Sequence, residues 1–173
     1  VKNVGTAAKV AIAVRISGGD VTDFGAQNLE QYMLDQLAAT PDAGGIYSLP
    51  YVVIALGDKT PQASIQALLD SFASDGSISS SWGIEYDMTG LAMVALQQVK
   101  DAYPSLAQSI TTQLADSKSW AEGSQEADGS WPGYSPANTT GLVGQGLDAT
   151  GGDVTKAQAY LASQQQAAGG GGV

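Results

Sequence analysis

The 173-residue chain contains no cysteine and no histidine. The first absence excludes disulfides, thiolate nucleophiles and cysteine-ligated zinc or iron–sulfur sites. The second excludes histidine-based triads, imidazole bases and most catalytic zinc sites. Any enzymatic chemistry must therefore come from carboxylates, hydroxyls, lysine or the single arginine, Arg15.

Positive charge is also scarce, because seven Lys and Arg residues stand against 17 Asp and Glu, a formal net charge of −10. A nucleic-acid-binding protein needs a basic footprint, so nucleic acid is excluded as a partner, and anionic membrane surfaces are disfavoured for the same reason. No run of apolar residues approaches the roughly 18 that a membrane-spanning helix needs. The N-terminus shows no signal peptide, that is, no basic segment followed by an apolar one, and a mature or excised segment would look the same.

Length and composition are typical of one folded domain. Apolar residues make up 43% of the chain, which is close to the ordinary globular share. The run of glycines at 169–172 has the composition of a linker or of the start of another loop. The sequence therefore predicts a single domain over residues 1–168 and a Gly-rich tail or linker over 169–173.

Short segments recur along the chain. Gly-Gly-Asp-Val-Thr at 18–22 recurs at 151–155, 133 positions later, and Asp-Gly-Ser at 75–77 recurs at 128–130. Four apolar anchors, at Ala13, Ala55, Ala95 and Gly146, are separated by 42, 40 and 51 residues, which gives the same total. The sequence thus predicts about four copies of a unit of roughly 40–50 residues.

Each unit is predicted to hold two helices. The first is apolar nearly all round (5–14, 49–56, 87–99 and 139–147), which indicates burial on both sides, above all of 10–14, 51–56, 91–96 and 142–147. The second is amphipathic, with one-sided apolar patterns at 29–37, 65–72, 106–114 and 157–164. We therefore expect an all-α fold of at least eight helices, arranged as an α/α toroid with an inner and an outer layer. Four hairpins would form a partial ring or arc, whose open ends need the rest of a longer chain or an oligomer partner.

The repeat resembles that of the prenyltransferase/squalene-cyclase superfamily. Asp-Gly-Ser-Trp at 128–131 is similar to the Gly-x-Trp end of its QW motif, and the passage from Gln164 to Gly170 resembles its Gln-to-Gly-Gly passage. The resemblance implies the toroid fold. It also implies kinship with squalene and terpene cyclases, protein prenyltransferases, cobalamin carriers and bacterial surface proteins that carry the same repeats.

Two activities of that superfamily depend on particular residues, which can be sought in this sequence. Protein prenyltransferases hold zinc with Asp, Cys and His, so the missing Cys and His exclude their activity. Class II terpene cyclases protonate their substrate with an aspartic acid in the motif Asp-x-Asp-Asp-Thr-Ala. The segment 85–90 can be aligned with this motif, which places Asp87 at the position of the proton donor. Met88 occupies the position of the next aspartate and breaks the motif. We prefer the alternative that Asp87 caps its helix by accepting a backbone N–H near Thr89 or Gly90.

The long loops carry the candidate ligand-binding side chains. The resemblance implies a ligand site near the N-termini of the buried helices, where the loops 40–48, 74–86 and 120–138 lead in. The candidate residues are Tyr47, Trp82, Tyr86, Asp87, Trp131 and Tyr134. For Trp82 and Trp131 we favour the alternative that each seals the gap between adjacent hairpins. No metal site and no cofactor are predicted, because the loop aspartates lack EF-hand spacing.

These observations favour a non-catalytic, extracellular or cell-surface module that binds a ligand or a partner. The resemblance to cobalamin carriers makes a small amphipathic or apolar ligand, such as cobalamin or an isoprenoid, the most specific version, beside a protein partner. Two alternatives stay open. One is a structural or adhesive surface spacer, and the other is a terpene-cyclase-like enzyme with Asp87 as its acid.

Overall fold

The structure, a computed structural model, describes residues 3–165. These residues form eight α-helices and one short β-hairpin: α1 (Val4–Ile16), α2 (Leu29–Ala39), α3 (Leu49–Leu56), α4 (Gln62–Asp70), β1 (Ser79–Ser80), β2 (Gly83–Ile84), α5 (Tyr86–Val99), α6 (Ala107–Ser124), α7 (Pro136–Ala149) and α8 (Thr155–Gln164). The all-α prediction is confirmed, with the antiparallel hairpin as a small local departure. The predicted tail, 169–173, lies outside the described residues.

Local sequence explains where several helices begin. The side chain of Asn3 accepts the N–H of Thr6 at 3.1 Å, and that of Asn28 accepts the N–H of Gln31 at 2.8 Å, so asparagine caps both α1 and α2. α7 begins at Pro136, three residues earlier than predicted, because proline fits the first helical turn, where its missing N–H has no partner to lose.

The helices are arranged in two sets. Odd-numbered helices contact one another in chain order: α1 packs on α3, α3 on α5, and α5 on α7. Each odd helix also packs against the even helix that follows it. Apolar and amphipathic helices alternate along the chain, so the apolar helices form a continuous row that the amphipathic helices flank.

Burial follows position in that row. The segments 51–56 and 91–96 are almost entirely buried, as predicted, because α3 and α5 have an odd-numbered neighbour on each side. The segments 10–14 and 142–147 are only partly buried, and Ala13 and Gln145 are exposed. Both segments lie in the row of apolar helices as predicted, but burial on both sides is incomplete because α1 and α7 are the outermost helices of the row.

The contact between α5 and α7 is close because glycine lies on both helices. A Cβ atom on Gly90 would lie 2.7 Å from the Cα of Val143, and one on Gly146 would lie 2.6 Å from the carbonyl oxygen of Gly90. Side chains at either position would push the helices apart. The close contact brings the first turns of α5 and α7 together, next to the long loops that precede them.

Candidate functional site

Two of the long loops share one geometry. In each, an aspartate accepts the N–H and the hydroxyl of the serine two residues later, at 2.9 and 2.7 Å for Asp75 and Ser77 and at 3.0 and 2.7 Å for Asp128 and Ser130. The loop glycine then packs against the backbone of the next even-numbered helix, α6 in the first case and α8 in the second. The repeat seen in the sequence therefore has a structural counterpart.

The same hydrogen bonds shift the acidity of the loop aspartates. The N–H and the hydroxyl of Ser77 lower the pKa of Asp75, and those of Ser130 lower the pKa of Asp128. The hydroxyl and the N–H of Thr155 lower the pKa of Asp153 in the corresponding turn before α8. Hydrogen bonds to the charged form favour it, so these aspartates act as ionised turn supports.

Trp131 occupies a core position set by this loop geometry. Its backbone N–H donates to the Thr140 hydroxyl at 3.2 Å, as that of Ile78 donates to the Thr89 hydroxyl at 2.9 Å. Trp131 is fully buried, and its indole N–H donates to the carbonyl of Ala121 at 2.9 Å. Trp131 therefore seals α6 against α7, and its burial removes it from the ligand-binding candidates.

Trp82 has the opposite environment. It lies in the turn between β1 and β2, and 91% of its surface is exposed. Tyr134 is fully exposed and Tyr47 is 50% exposed. Because Trp82 contributes almost nothing to the core, the sealing alternative fails for it, and three of the candidate aromatic side chains face solvent.

Glu85 joins two of these aromatic residues, a role that sequence reasoning missed. Its carboxylate accepts the hydroxyl of Tyr47 at 2.6 Å and that of Ser80 at 2.5 Å. The Ser80 oxygen in turn accepts the backbone N–H of Trp82 at 3.0 Å. The loop before α3 and the hairpin before α5 are thus held together through one carboxylate. No local sequence signal could have indicated it, because Tyr47 and Glu85 are 38 positions apart.

Asp87 does not cap α5. The helix begins at Tyr86, which places Glu85 at the N-cap, and the Glu85 side chain makes no capping bond. Asp87 lies in the first turn, half-buried, and accepts the side-chain N–H of Asn138 at 3.0 Å. The predicted cap is therefore wrong, because the helix starts one residue earlier and the carboxylate reaches across to α7.

The remaining candidate, Tyr86, is half-buried and packs against the core. Its ring lies 5.2 Å from that of Trp120 on α6, with an interplanar angle of 39°. This tilted pair is a favoured aromatic geometry and stabilises the α5–α6 contact. Tyr86 thus has a structural partner on α6.

A second group of residues extends along the odd-numbered helices. The Lys9 ammonium lies 4.5 Å from the centre of the Tyr51 ring, which makes a cation–π contact between α1 and α3. Burial, and secondarily the charge of Asp87, raises the pKa of Tyr51. The charge of Asp87 on α5 influences Tyr51 on α3, and the Asp87 carboxylate accepts a hydrogen bond from Asn138 on α7. Together with Lys9 on α1, polar side chains from four successive odd-numbered helices therefore approach one another.

Two surface grooves lie apart from the exposed aromatic residues. One, of about 470 Å³, lies between residues 41–49 and the outer side of α4. The other, of about 250 Å³, lies between α7 and α8 and includes Gly141 and Gly144. Neither groove is lined by Tyr47, Trp82 or Tyr134.

Two further properties bear on the site. Within residues 3–165, no group of three acidic side chains is placed to hold a metal ion. No helix in the same part of the chain is both long enough and apolar enough to cross a bilayer.

Compared with known proteins, the chain matches no family model, no curated protein and no solved structure. The resemblance to the prenyltransferase/squalene-cyclase repeat accordingly stays a prediction from the residues that carry it.

Proposed function

We propose that the chain is a non-catalytic binding module that engages a ligand or partner through the surface formed by Tyr47, Trp82 and Tyr134. We call this surface the aromatic face. The observation that carries the proposal is the 91% exposure of Trp82 on a hairpin braced by hydrogen bonds. Tryptophan and tyrosine provide much of the contact energy in binding sites, and exposing them without a partner is unfavourable.

The fold supports this function as a scaffold. The arrangement we propose is an arc of an α/α toroid, supported by the chain-order contacts of the odd helices and by their amphipathic even-numbered neighbours. Loops on a rigid helical row can vary in shape without loss of stability, which suits recognition. The partly open faces of α1 and α7 are consistent with further units or a partner subunit beside them, and we propose an extracellular or cell-surface setting.

The position of Asp87 argues against the cyclase alternative. An acid that protonates an alkene needs an enclosed site that favours its protonated form. Asp87 is instead half-exposed, and its carboxylate accepts the side-chain N–H of Asn138 on α7. The surface-spacer alternative is the main competitor, and the exposed Trp82 argues against it because a spacer has no need of exposed tryptophan.

A ligand screen by saturation-transfer NMR tests the proposal. The panel consists of cyanocobalamin, geranylgeraniol and a mixed-sequence peptide library, each offered to the wild type and to a Trp82→Ala/Tyr134→Ala variant. Phe24→Ala is the matched control, because Phe24 is an exposed aromatic residue that lies outside the long loops. We expect saturable binding by at least one class, lost in the double variant and kept in the control.

A response to cyanocobalamin would support the carrier-like version, and a response to peptides would support a protein partner. If no class distinguishes the double variant from the wild type, the aromatic face is not a binding surface and the spacer alternative stands.

A further inference from the structure

The geometry points to a cationic side chain, arginine or lysine on a segment of a partner protein, as the group that the Trp82 hairpin binds. This inference rests on the proposed binding function and specifies the chemistry of the partner. The hairpin site consists of the Trp82 indole, the carboxylate of Glu85 and the phenol of Tyr47.

The indole is both exposed and positioned. Trp82 projects from a two-stranded hairpin whose strands pair Ser79 with Ile84 and Ser80 with Gly83. Gly83, the residue after Trp82, has a φ of +112°. No atom lies within 4 Å of the position that its Cβ would occupy, so the space next to Gly83 is open. A planar cation that stacks on the ring would meet no side chain at position 83.

The carboxylate of Glu85, which is linked to the backbone of Trp82 through Ser80, is held by neutral groups. It accepts the hydroxyls of Tyr47 and Ser80. The ion pairs found among residues 3–165 join Glu30 with Arg15 and with Lys59, and Glu122 with Lys118. No cation of the described chain therefore forms an ion pair with Glu85, and its negative charge is left for an incoming one.

Charge complementarity selects the class of partner. The chain carries a net charge of −10, which attracts cations over long range and repels anions. Aromatic faces bind guanidinium and ammonium groups through the ring quadrupole, and a neighbouring carboxylate strengthens the contact. The same pairing of cation and ring already occurs inside the protein, where Lys9 covers Tyr51.

An NMR titration with matched peptides tests this inference. The probe is a short Gly/Ser peptide that contains two arginines, and its control is the same peptide with citrulline, which keeps the shape and removes the charge. The readout is the indole N–H signal of Trp82, assigned with Trp82→Phe. Trp131 is buried and bonded to Ala121, so its indole signal provides an internal reference.

We expect the arginine peptide to shift the Trp82 signal saturably and the citrulline peptide to bind at least roughly threefold more weakly. Glu85→Gln keeps an oxygen that can accept from Tyr47 and Ser80 but removes the charge, so it should weaken the arginine peptide. Glu122→Gln is the matched control, because it removes one exposed carboxylate elsewhere and changes the net charge equally.

Three results would overturn the inference. Equal binding of the two peptides at Trp82 would show a site that does not recognise charge, while leaving the proposed binding function intact. Equal weakening by Glu85→Gln and Glu122→Gln would show general attraction to an acidic protein. If the arginine peptide changes the chemical shifts of other residues but not that of the Trp82 indole N–H, the cation binds away from the hairpin.

Discussion

Replacing Trp131 by alanine should destabilise the protein strongly, because this side chain is fully buried between α6 and α7. A buried tryptophan removes roughly 200 Å² from water, which at about 25 cal/mol per Å² corresponds to an upper bound of about 5 kcal/mol. Large-to-small changes of aromatic residues in cores cost about 3–5 kcal/mol. For a domain of this length, that loss lowers the Tm by roughly 6–20 °C.

Trp82→Ala is the matched comparison, since it removes the same side chain from a site that is 91% exposed. Its free energy of unfolding should change by no more than about 0.5 kcal/mol. Urea denaturation followed by far-UV circular dichroism measures both variants without relying on tryptophan fluorescence. Equal destabilisation at the two positions, or a loss below about 1 kcal/mol for Trp131→Ala, would refute the assignment of one sealing and one exposed tryptophan.

Three further predictions concern backbone contacts and pH. Gly90→Ala should lower the free energy of unfolding by about 1–3 kcal/mol, because the new Cβ would meet the backbone of α7. Gly141→Ala should be neutral or stabilise the protein by up to about 1 kcal/mol, because the space around Gly141 is open. Thermal melts of the two variants measure the difference. Thr89→Val should cost about 1–3 kcal/mol in urea denaturation, because it leaves the buried N–H of Ile78 unpaired. The pKa of Asp75 and of Asp128 is lowered from the ordinary 3.8, so their contribution to stability is present above about pH 4 and lost as pH falls through the lowered folded values. An Asp75→Asn/Asp128→Asn variant should therefore lose less stability than the wild type in an acid titration, and an identical acid profile would contradict the role of these turns.

The order of helices could be predicted from the sequence because apolar periodicity reports burial directly. The predicted bounds of α3 match Leu49–Leu56, and α5 differs by one residue at its start. The hairpin was missed because strands of two residues, Ser79–Ser80 and Gly83–Ile84, are too short to show alternation. Partial burial of α1 and α7 depends on which helices have two neighbours, and that follows from the tertiary arrangement.

The environments of the two loop tryptophans could have been separated by the repeat register. Trp131 directly follows Asp-Gly-Ser, as Ile78 does, and an apolar residue at the same place in two units indicates a core position. Trp82 comes four residues after Ile78, in a segment that forms the hairpin. The link from Glu85 to Tyr47 spans 38 positions, and no local pattern encodes a hydrogen bond over that separation.

Because the odd-numbered helices pack on one another in chain order, unfolding should spread from each helix to its neighbours along the row. Because each unit is supported mainly by its neighbours, the chain opens from its ends, and the free energy of opening rises towards the middle. α8 contributes one buried residue, Ala157, and should exchange its amide hydrogens faster than α3 or α5. Trp82 and Tyr47 are attached to the loops that precede α5 and α3, so fraying of the last helix leaves both side chains in place. Two of the three side chains of the proposed aromatic face are thus carried by the part of the row that opens last, whereas Tyr134 precedes α7, at the end of the row.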